Sequence, residues 1–530
     1  MKYILLLLIS ISYVSSAQTP QKVLYSLQKA GKNRGELERV IHHYQQDKDS
    51  FKLKACYFLL ENMVGHKHLD AENLRPFDTI FGVYDSLLTH KIVVHKQETE
   101  YPLVYEAWDK IVEKHEDPNT IEYPDLEHIT ATFLIDNIDG AFQAWHTYPW
   151  AKHLTFEQFC EYLLPYKMSN ESLVPWRSAM MKKYAWLPDS LPNKSDEINA
   201  TRVLYNNLKW FLFNPSLWSH PLVGFENLHT AKAGSCFNKT DLNMFVMRAM
   251  GLAVTRDFVL YWGNQHFNHY WNAFVMNDGT FLDFEALASP RYRWLGRMPK
   301  HKVVNPGRRS QWVARMSKVF RETYSEQSET LVEDNKIGIP ETIPYQFDRT
   351  RIKDVTEEYT KTCNVTLDIP SSTLPYSKYY YLCTYNMGKW VPAFWGRRTN
   401  DNKALFRKMG IDIAYVLCKY NGKSKFEPLD NPFILDSLGN KTILAPPTNF
   451  AKTAIFSDFA ILKSIQKDEV YKLFYWSKDQ WIFHSESKAE DKAKITFGDV
   501  PVKTLLKLEK VNGKKNERIF YYANGVQYFY

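Results

Sequence analysis

The sequence predicts a multidomain α+β protein with an N-terminal all-helical region, a mixed α+β core and C-terminal β-sandwich modules. Three observations support this fold class. Apolar residues recur at helical spacing early in the chain and at strand spacing after Arg351. Between these regions, one helix pattern is followed by three strand patterns. Finally, a length of 530 residues suits about three or four domains.

The first residues have the pattern of a secretory signal peptide. Lys2 precedes an apolar run at residues 4–11, and small residues ending at Ala17 provide a cleavage site. The run is too short to span a bilayer, and no later stretch is long and uncharged enough to do so. Because Gln18 follows the cleavage site instead of cysteine, a lipoprotein is not supported. We expect residues 1–17 to be removed and the protein to be exported, to the periplasm or beyond, without a transmembrane segment.

Residues 18–190 are predicted to form a helical domain. Apolar residues recur at three-to-four spacing in the segments YSLQKAG, LERVIHHYQQ, LKACYFLLENM, VYEAWDKIVEKH and ATFLIDNIDGAFQAW. Such spacing places the apolar side chains on one face of each helix, where they can form a core.

The mixed core is predicted at residues 191–300, and its first landmark is Cys236. This cysteine follows Gly234 and Ser235 and opens a helix pattern that stops at Gly251. At a helix N-terminus, unsatisfied backbone N–H groups and the positive end of the dipole favour a thiolate over a thiol. The position therefore predicts a nucleophilic cysteine.

Three strand patterns follow this helix. The first covers residues 253–261, and the second covers residues 269–276, where His269 and Trp271 share a face. The hairpin signal Asn-Asp-Gly then returns the chain as a third strand carrying Asp283. We therefore predict a triad in which Cys236 attacks, His269 acts as the base and Asp283 orients the imidazole.

Alternatives to these assignments are also present. His266 is a rival base, but it sits beside a turn signal and favours a loop or substrate-contact role. Glu285 lies on the same strand face as Asp283 and is its natural substitute. Trp271 is assigned a structural role as a core aromatic residue.

The donors of an oxyanion hole are less well defined by the sequence. The backbone N–H of Cys236 is the default donor. A second donor is expected among Asn206, Asn207 and Trp210, which precede the cysteine segment.

These motifs resemble the transglutaminase-like superfamily, whose fold is similar to that of papain-like hydrolases. The matching features are Gly-Ser-Cys opening a helix, RAMGL at the helix end, a His-x-Trp strand and an Asp strand. The resemblance implies a papain/transglutaminase-like α+β core with Cys236, His269 and Asp283 as catalytic residues. Two motifs depart from the usual pattern, since His-Tyr-Trp replaces His-Ala-Trp and Phe284 follows the aspartate. The helical segment 133–176 resembles large secreted transglutaminase-domain proteins of Bacteroidetes.

The second half of the chain is predicted to contain a basic linker and two β modules. Residues 301–350 are assigned to the linker because they are rich in Arg and Lys and broken by prolines. Strand-like runs then predict β-sandwich modules at 351–434 and 435–530, with the division near Asn431 or Gly439. A single larger β domain is the alternative. Exposed aromatics on these modules would bind glycan, whereas core packing is the simpler interpretation.

Composition excludes several classes of protein. A formal charge of +8 spread over both signs is mild basicity, so we expect no nucleic-acid partner. No Cys-x-x-Cys or His-Glu-x-x-His spacing occurs, so neither a metal nor a cofactor is expected. Of the six cysteines, Cys363, Cys383 and Cys418 fall in one β-rich region and are expected to include one disulfide at most.

The function expected from the sequence is that of an exported thiol enzyme. It would act on an amide or peptide bond of a protein, peptide or peptidoglycan-type substrate through a thioester. Hydrolysis is favoured over cross-linking because an exported enzyme works in bulk water. The alternative is a non-enzymatic protein that binds cell-envelope glycan or peptide and uses the core as a scaffold.

Overall fold

The computed structural model describes residues 19–77, 79–80, 82, 106, 109–111, 113–115, 122–208, 212–213, 224–231, 233–285, 300, 314–423, 425–457, 465–513 and 518–530. The signal peptide predicted at 1–17, Trp210 and most of the basic stretch before residue 314 lie outside the described residues. Expectations for those segments therefore stay predictions.

The N-terminal region is helical, as the apolar spacing predicts. Side chains cap several of these helices: Asp49 accepts a hydrogen bond from the N–H of Phe51, and Thr155 forms a capping box with Gln158. A short antiparallel pair joins β1 (Lys67–Leu69) to β2 (Glu122–Pro124). The helices are α1 Gln21–Lys29, α2 Arg34–Gln45, α3 Ser50–Glu61, α4 Ala71–Leu74, α5 Asp125–His128, α6 Ala131–Thr147, α7 Phe156–Tyr162 and α8 Arg177–Lys183.

The core begins with helices α9 (Glu197–Asn207) and α10 (Phe225–Ala231) and a short parallel pair, β3 (Leu212–Phe213) with β4 (Ala233–Gly234). Helix α11 (Cys236–Ala249) follows and is buried on nearly every side. A helix surrounded in this way must satisfy its polar side chains internally.

Hydrogen bonds join the C-terminal end of α11 to the helical region. Trp150 donates its indole N–H to the carbonyl of Met250 at 2.7 Å, and Arg177 donates to the carbonyl of Arg248 at 3.1 Å. Apolar residues of α11 also share one continuous core with the helical region and with the inner face of the next sheet. The helical region therefore forms one wall of the core.

An antiparallel five-stranded sheet packs against α11, in the order β7-β6-β5-β8-β9. Its strands are β5 Val254–Val259, β6 His269–Val275, β7 Phe281–Phe284, β8 Phe320–Glu322 and β9 Ile352–Asp354. The first three match the sequence prediction. Strand β8 comes from the segment 301–350, which the sequence analysis assigns to a linker, and its pairing with β5 places that part of the segment inside the core sheet.

Buried ion pairs connect strand β8 to β5, and β5 to α11. Arg321 of β8 donates two hydrogen bonds to the carboxylate of Asp257 at 2.9 and 2.8 Å. Arg256 of β5 pairs with Asp241 of α11 at 2.7 Å and with Glu322 of β8 at 2.6 Å. Breaking such a pair would leave a buried charge without a partner, which is energetically costly. These contacts therefore fix the position of β8.

Two strand-rich modules follow, so the predicted C-terminal β-rich region is confirmed. The first comprises β10 Thr362–Asp368, β11 Tyr379–Asn386, β12 Lys389–Arg397, β13 Lys403–Gly410, β14 Ile413–Tyr420, β15 Phe426–Pro428, β16 Phe433–Leu435 and β17 Lys441–Ile443. Strand β10 pairs with β13, and the other six strands form a second sheet. Because β16 pairs with both β14 and β17, strand pairing within the first module continues to Ile443.

The second module also contains two sheets around its own core. One pairs β18 (Phe450–Ser457) with β21 (Lys494–Pro501). The other has the order β20-β19-β22-β23-β24. Its strands are β19 Val470–Ser477, β20 Gln480–Lys488, β22 Leu505–Lys510, β23 Phe520–Ala523 and β24 Val526–Phe529, and a short helix before the modules is α12 Leu331–Asn335.

All six cysteines are free thiols. Cys383 and Cys418 lie on the neighbouring strands β11 and β14, and their side chains are hydrogen bonded to each other without a disulfide. No group of residues suited to holding a metal ion occurs among the described residues. Within the same residues, no helix is long and apolar enough to cross a membrane.

Candidate active site

Cys236 is the first residue of α11, as the sequence predicts. Ser235 is the N-cap, and Asn238 closes a capping box by accepting hydrogen bonds from the Ser235 N–H at 2.9 Å and its hydroxyl at 2.8 Å. A β-carbon at Gly234 would lie 2.8 Å from the Cβ of Asn238, so glycine is needed there. These local contacts place the Cys236 thiol at the N-terminal end of a helix, where backbone N–H groups favour negative charge.

His269 is the first residue of β6 and connects the thiol to a carboxylate. Its side chain is hydrogen bonded to that of Cys236. Its Nε2 atom lies 2.7 Å from Oε2 of Glu285. With Nε2 engaged by the carboxylate, Nδ1 is the ring nitrogen left to exchange a proton with the sulfur. Cys236, His269 and Glu285 therefore form one hydrogen-bonded chain.

The environment of His269 favours its protonated form. Burial by itself lowers the pKa of the imidazole. The Glu285 carboxylate and the Cys236 side chain raise this pKa by more than burial lowers it, and the pKa of His269 reaches about 10. An imidazolium at neutral pH is the partner that a thiolate needs.

The carboxylate hydrogen bonded to His269 belongs to Glu285, whereas the sequence predicts Asp283 as the partner. The β6–β7 register explains the difference. Asp283 is paired with Ala273, four residues along β6 from His269, which corresponds to about 13 Å. Glu285 lies two residues farther along the returning strand and therefore closer to His269. Asp283 is buried and its carboxylate forms an ion pair with Lys300 at 3.0 Å.

Aromatic side chains surround the imidazole. The ring of Trp262 stacks with His269 at a centroid separation of 6.1 Å. Trp271 is fully buried and donates its indole N–H to the hydroxyl of Tyr359 at 2.9 Å. That hydroxyl in turn donates to Asp257 at 2.7 Å. Trp271 thus has the structural position that the sequence predicts.

The other sequence candidates lie elsewhere. Nδ1 of His266 accepts a hydrogen bond from the backbone N–H of Met387 at 3.3 Å, so this ring faces the first β module. Asn206 and Asn207 are exposed at the end of α9. Trp210 lies outside the described residues.

A buried lysine lies one helical turn after the cysteine. Lys239 donates a hydrogen bond from Nζ to the carbonyl of Leu208, and its ammonium lies 5.7 Å from the ring centre of Tyr205. Burial lowers the pKa of Lys239 to about 7. Tyr205 donates its hydroxyl proton to the backbone carbonyl of Glu285 at 3.1 Å. Helix α9 therefore contacts both the first turns of α11 and the segment that carries the carboxylate.

The loop before His269 (residues 262–268, the His269 loop) is held from outside the core. Asn386, at the end of β11, is fully buried. Its amide oxygen accepts from the N–H of Phe267 at 2.9 Å, and its amide nitrogen donates to the carbonyl of Gln265 at 2.8 Å. Weaker contacts of the same amide nitrogen reach the carbonyls of Trp262 at 3.3 Å and Phe267 at 3.4 Å. One side chain of the first β module therefore satisfies much of the loop backbone.

Arg518, which precedes β23 in the second β module, makes a second set of contacts with this loop. Its buried guanidinium donates to the carbonyls of Gly263 at 3.1 Å and Gln265 at 3.3 Å. It also donates to the carbonyl of Tyr385 at 2.6 Å and to that of Tyr530 at 3.0 Å. The loop is thus fixed by both modules. Neither contact has a sequence signal, because each joins residues more than a hundred positions apart.

Phe267 lies in the held loop in an unusual backbone conformation. Its φ angle is +65°, in the left-handed region that a bulky residue rarely adopts. Its side chain is 58% exposed. Contacts made by the rest of the molecule must therefore overcome the preference of this residue for another conformation.

Comparison with known proteins adds one distant likeness. No protein-family model matches the sequence, and no curated protein matches it significantly. Among solved structures, the chain is similar to the crystal structure of red sea bream transglutaminase, with 9% sequence identity and a TM-score of 0.21. The match covers 68% of this chain and 72% of that chain. So low a TM-score does not establish a shared fold, and the helices and strands described above define the fold of this chain.

Proposed function

We propose that this protein is a thiol enzyme with a transglutaminase-like site that acts on amide or peptide bonds through a thioester. The observation that supports the proposal is the hydrogen-bonded chain from Cys236 through His269 to Glu285, with the thiol at a helix N-terminus. A nucleophile, a base and an orienting carboxylate in this order are the parts that nucleophilic acyl transfer requires.

In the first half of the reaction, the Cys236 thiolate attacks the carbonyl carbon of the amide. A carbon–sulfur bond forms, and the carbonyl oxygen becomes an oxyanion. As the carbon–nitrogen bond breaks, the His269 imidazolium gives its proton to the departing nitrogen. The products of this step are a free amine, a thioester on Cys236 and a neutral imidazole.

In the second half, the neutral imidazole takes a proton from an attacking water. The carbon–sulfur bond breaks, the thiolate is restored, and a carboxylic acid leaves. An amine in place of water would give a new amide and therefore a cross-link. We favour water, because an exported enzyme works in bulk water and none of the described contacts marks an amine-binding site.

Glu285 is the orienting carboxylate in this proposal. Its carboxylate holds the Nε2 side of the imidazole, leaving Nδ1 for the sulfur, and balances the imidazolium charge. We assign Asp283 a supporting role through its ion pair with Lys300. Both acids lie on one face of the β6–β7 hairpin, so the assignments differ by two residues along a single strand.

We further propose that the enzyme works outside the cytoplasm on a protein, peptide or peptidoglycan-type substrate. The support is the signal-peptide pattern at residues 1–17.

The test is the pH dependence of iodoacetamide labelling, with each labelled cysteine identified by mass spectrometry. We expect Cys236 to react well below pH 8.5, the ordinary pKa of a free cysteine being about 8.5. His269→Ala should reduce labelling at pH 6 by about 100-fold, because an unassisted thiol is ionised to well under about 1% there. Cys363 is an internal control, because it is partly exposed and burial raises the pKa of its thiol.

Two outcomes would reject the proposal. Labelling of Cys236 that follows an ordinary thiol titration would mean that the sulfur is not activated. Labelling that is fast but unchanged in His269→Ala would mean that the imidazole is not its partner. In the first case, the protein would be better explained as a binding protein, and the isolated chain should then be assayed for retention on cell-envelope polymers.

A further inference from the structure

A cavity of about 720 Å³ lies alongside helix α11. Its walls come from α11, from residues 165–170 of the helical region and from residues 348–352, which lead into β9. Phe237 and Asn238, the two residues that follow Cys236, line one end. The volume falls within the range of about 300–1,000 Å³ that is typical of ligand sites. Cys236 itself does not line the cavity, so a substrate bound there would contact the two residues that follow it in the helix.

Basic side chains outnumber acidic ones around this cavity. The basic residues are Lys167, Arg248, Arg256, Arg349 and Arg351, and the acidic residues are Glu122, Glu322 and Asp348. Such a lining favours a negatively charged group over a neutral one.

Two of the basic residues are already neutralised by carboxylates. Lys167 pairs with Asp125 at 2.8 Å. Arg256 pairs with Asp241 at 2.7 Å and Glu322 at 2.6 Å. Since these charges are balanced inside the protein, neither is the best partner for a substrate anion.

Two more of the basic residues donate hydrogen bonds to backbone carbonyls. Arg248 donates to the carbonyls of Val254 at 3.0 Å and Lys167 at 3.2 Å. Arg351 donates to the carbonyls of Tyr324 at 3.1 Å and Asn62 at 3.0 Å. Their donors hold the cavity walls together.

Arg349 differs from the other four. Its guanidinium is hydrogen bonded to the side chain of Tyr270 and lies 5.4 Å from the ring centre of Phe258. Among the described residues, no carboxylate forms an ion pair with it. Tyr270 also contacts Phe237 edge to face at 5.2 Å, and Tyr270 and Phe258 share one buried cluster with Cys236. One aromatic ring thus connects Arg349 to the first turn of the nucleophile helix.

We propose that the cavity binds the acyl part of the substrate and that Arg349 receives a carboxylate carried by this part. The inference rests on the proposed thiol chemistry and adds a substrate class: amides whose acyl group bears a free carboxylate, such as acidic peptides. A guanidinium presents two parallel N–H groups to a carboxylate, and its hydrogen bond to Tyr270 positions it before binding.

The experiment compares alkylation of Cys236 by iodoacetate with alkylation by iodoacetamide. The two reagents place the same methylene on the sulfur, but only iodoacetate carries a carboxylate. Rates are taken on the pH plateau, where the thiolate is complete, and the ratio of the two rates is the readout. Since both reagents report on the same sulfur, the ratio corrects for any change in the nucleophile itself.

We expect Arg349→Gln to reduce the iodoacetate-to-iodoacetamide ratio by about three- to tenfold, as loss of one nearby positive charge predicts. Arg349→Lys should keep most of the ratio. The matched control is Lys353→Gln, which removes one positive charge from an exposed side chain of β9. An unchanged ratio in Arg349→Gln overturns the proposal. An equal fall of the ratio in Lys353→Gln also overturns it, because the effect would then come from the overall positive charge of this surface and not from Arg349.

Wild-type protein offers the same test without a substitution. Glutarate should slow alkylation by iodoacetate, whereas neutral glutaramide at matched ionic strength should not; equal effects would count against the site. Failures remain distinguishable. If wild-type Cys236 shows no activation towards iodoacetamide, the thiol enzyme itself is wrong. If it is activated but the ratio does not depend on Arg349, only the carboxylate site is wrong.

Discussion

Two asparagines fix the backbone beside Cys236 and His269, and they do so over very different distances along the chain. Asn238 closes the cap of the Cys236 helix from three residues away. Asn386 accepts a hydrogen bond from the N–H of Phe267, two residues before His269, although Asn386 is 119 residues away in the sequence. Cys236 is therefore positioned by its own neighbours in sequence, whereas His269 is positioned by the C-terminal modules.

This difference gives the C-terminal modules a role in positioning His269. Asn386 and Arg518 donate hydrogen bonds to carbonyls of the His269 loop. A change in either module can thus reach the imidazole without touching substrate. The predictions below test whether the two halves of the site depend on local or on distant contacts.

Among the substitutions that test this comparison, the largest effect is expected at the carboxylate next to His269. Glu285→Gln removes the negative charge from Nε2, and we expect labelling of Cys236 by iodoacetamide at pH 6 to fall by about 30-fold, as a less basic imidazole supports less thiolate. Asp283→Asn is the matched control, because it changes the same charge two residues away and should cost under about threefold. The reverse order of effects would mean that Asp283, and not Glu285, is the carboxylate that orients His269.

A smaller effect is expected when the distant contact is removed. Asn386→Ala leaves the N–H of Phe267 without its partner and the carbonyl of Gln265 with only its longer contact to Arg518. We expect labelling at pH 6 to fall by about tenfold as His269 loses its position. The pH midpoint of labelling should move towards about 8.5, which a loss of stability alone would not cause.

The local counterpart is Asn238→Ala. Loss of this cap should reduce the free energy of unfolding by about 1 kcal/mol while the labelling midpoint stays in place. If Asn386→Ala labels like wild type at every pH, the His269 loop is set by its own sequence and the comparison between the two asparagines fails.

The ion pair between His269 and Glu285 predicts a pH dependence of stability. Because the pKa of His269 is raised to about 10, its contribution is fully present below about pH 6.5, the unfolded value, and is lost as pH rises through about 10. Denaturant titrations of wild type and Glu285→Gln should differ by about 2 kcal/mol near pH 6 and by less near pH 10. A difference that grows with pH would contradict the assignment, since other titrations cancel in the comparison.

The predictable part of this site is the part with local signals. The Gly-Ser-Cys helix start, the His269 strand and the hairpin are all read correctly from patterns within about twenty residues. The position of the carboxylate depends on register: the pairing of Ala273 with Asp283 brings Glu285 closer to His269. Counting outwards from the turn would have identified Glu285, so that signal was present.

Other features had no signal that could be read in this way. Strand β8 has three residues, too few for a period, and charged neighbours made its segment resemble a linker. The contacts of Asn386 and Arg518 depend on how whole modules pack against the core. Such contacts are a property of tertiary structure, and no window of sequence contains both partners.

The smallest predicted effect tests the loop through Phe267 itself. Its φ of +65° is costly for any residue with a β-carbon and free for glycine. Phe267→Ala and Phe267→Gly lose the same aromatic ring, so their difference isolates the backbone. We expect the glycine variant to be more stable by about 1 kcal/mol in denaturant titrations, the opposite of the ordinary order. If alanine proves more stable, the loop relaxes to a negative φ in solution, and the distant contacts do not impose the left-handed conformation.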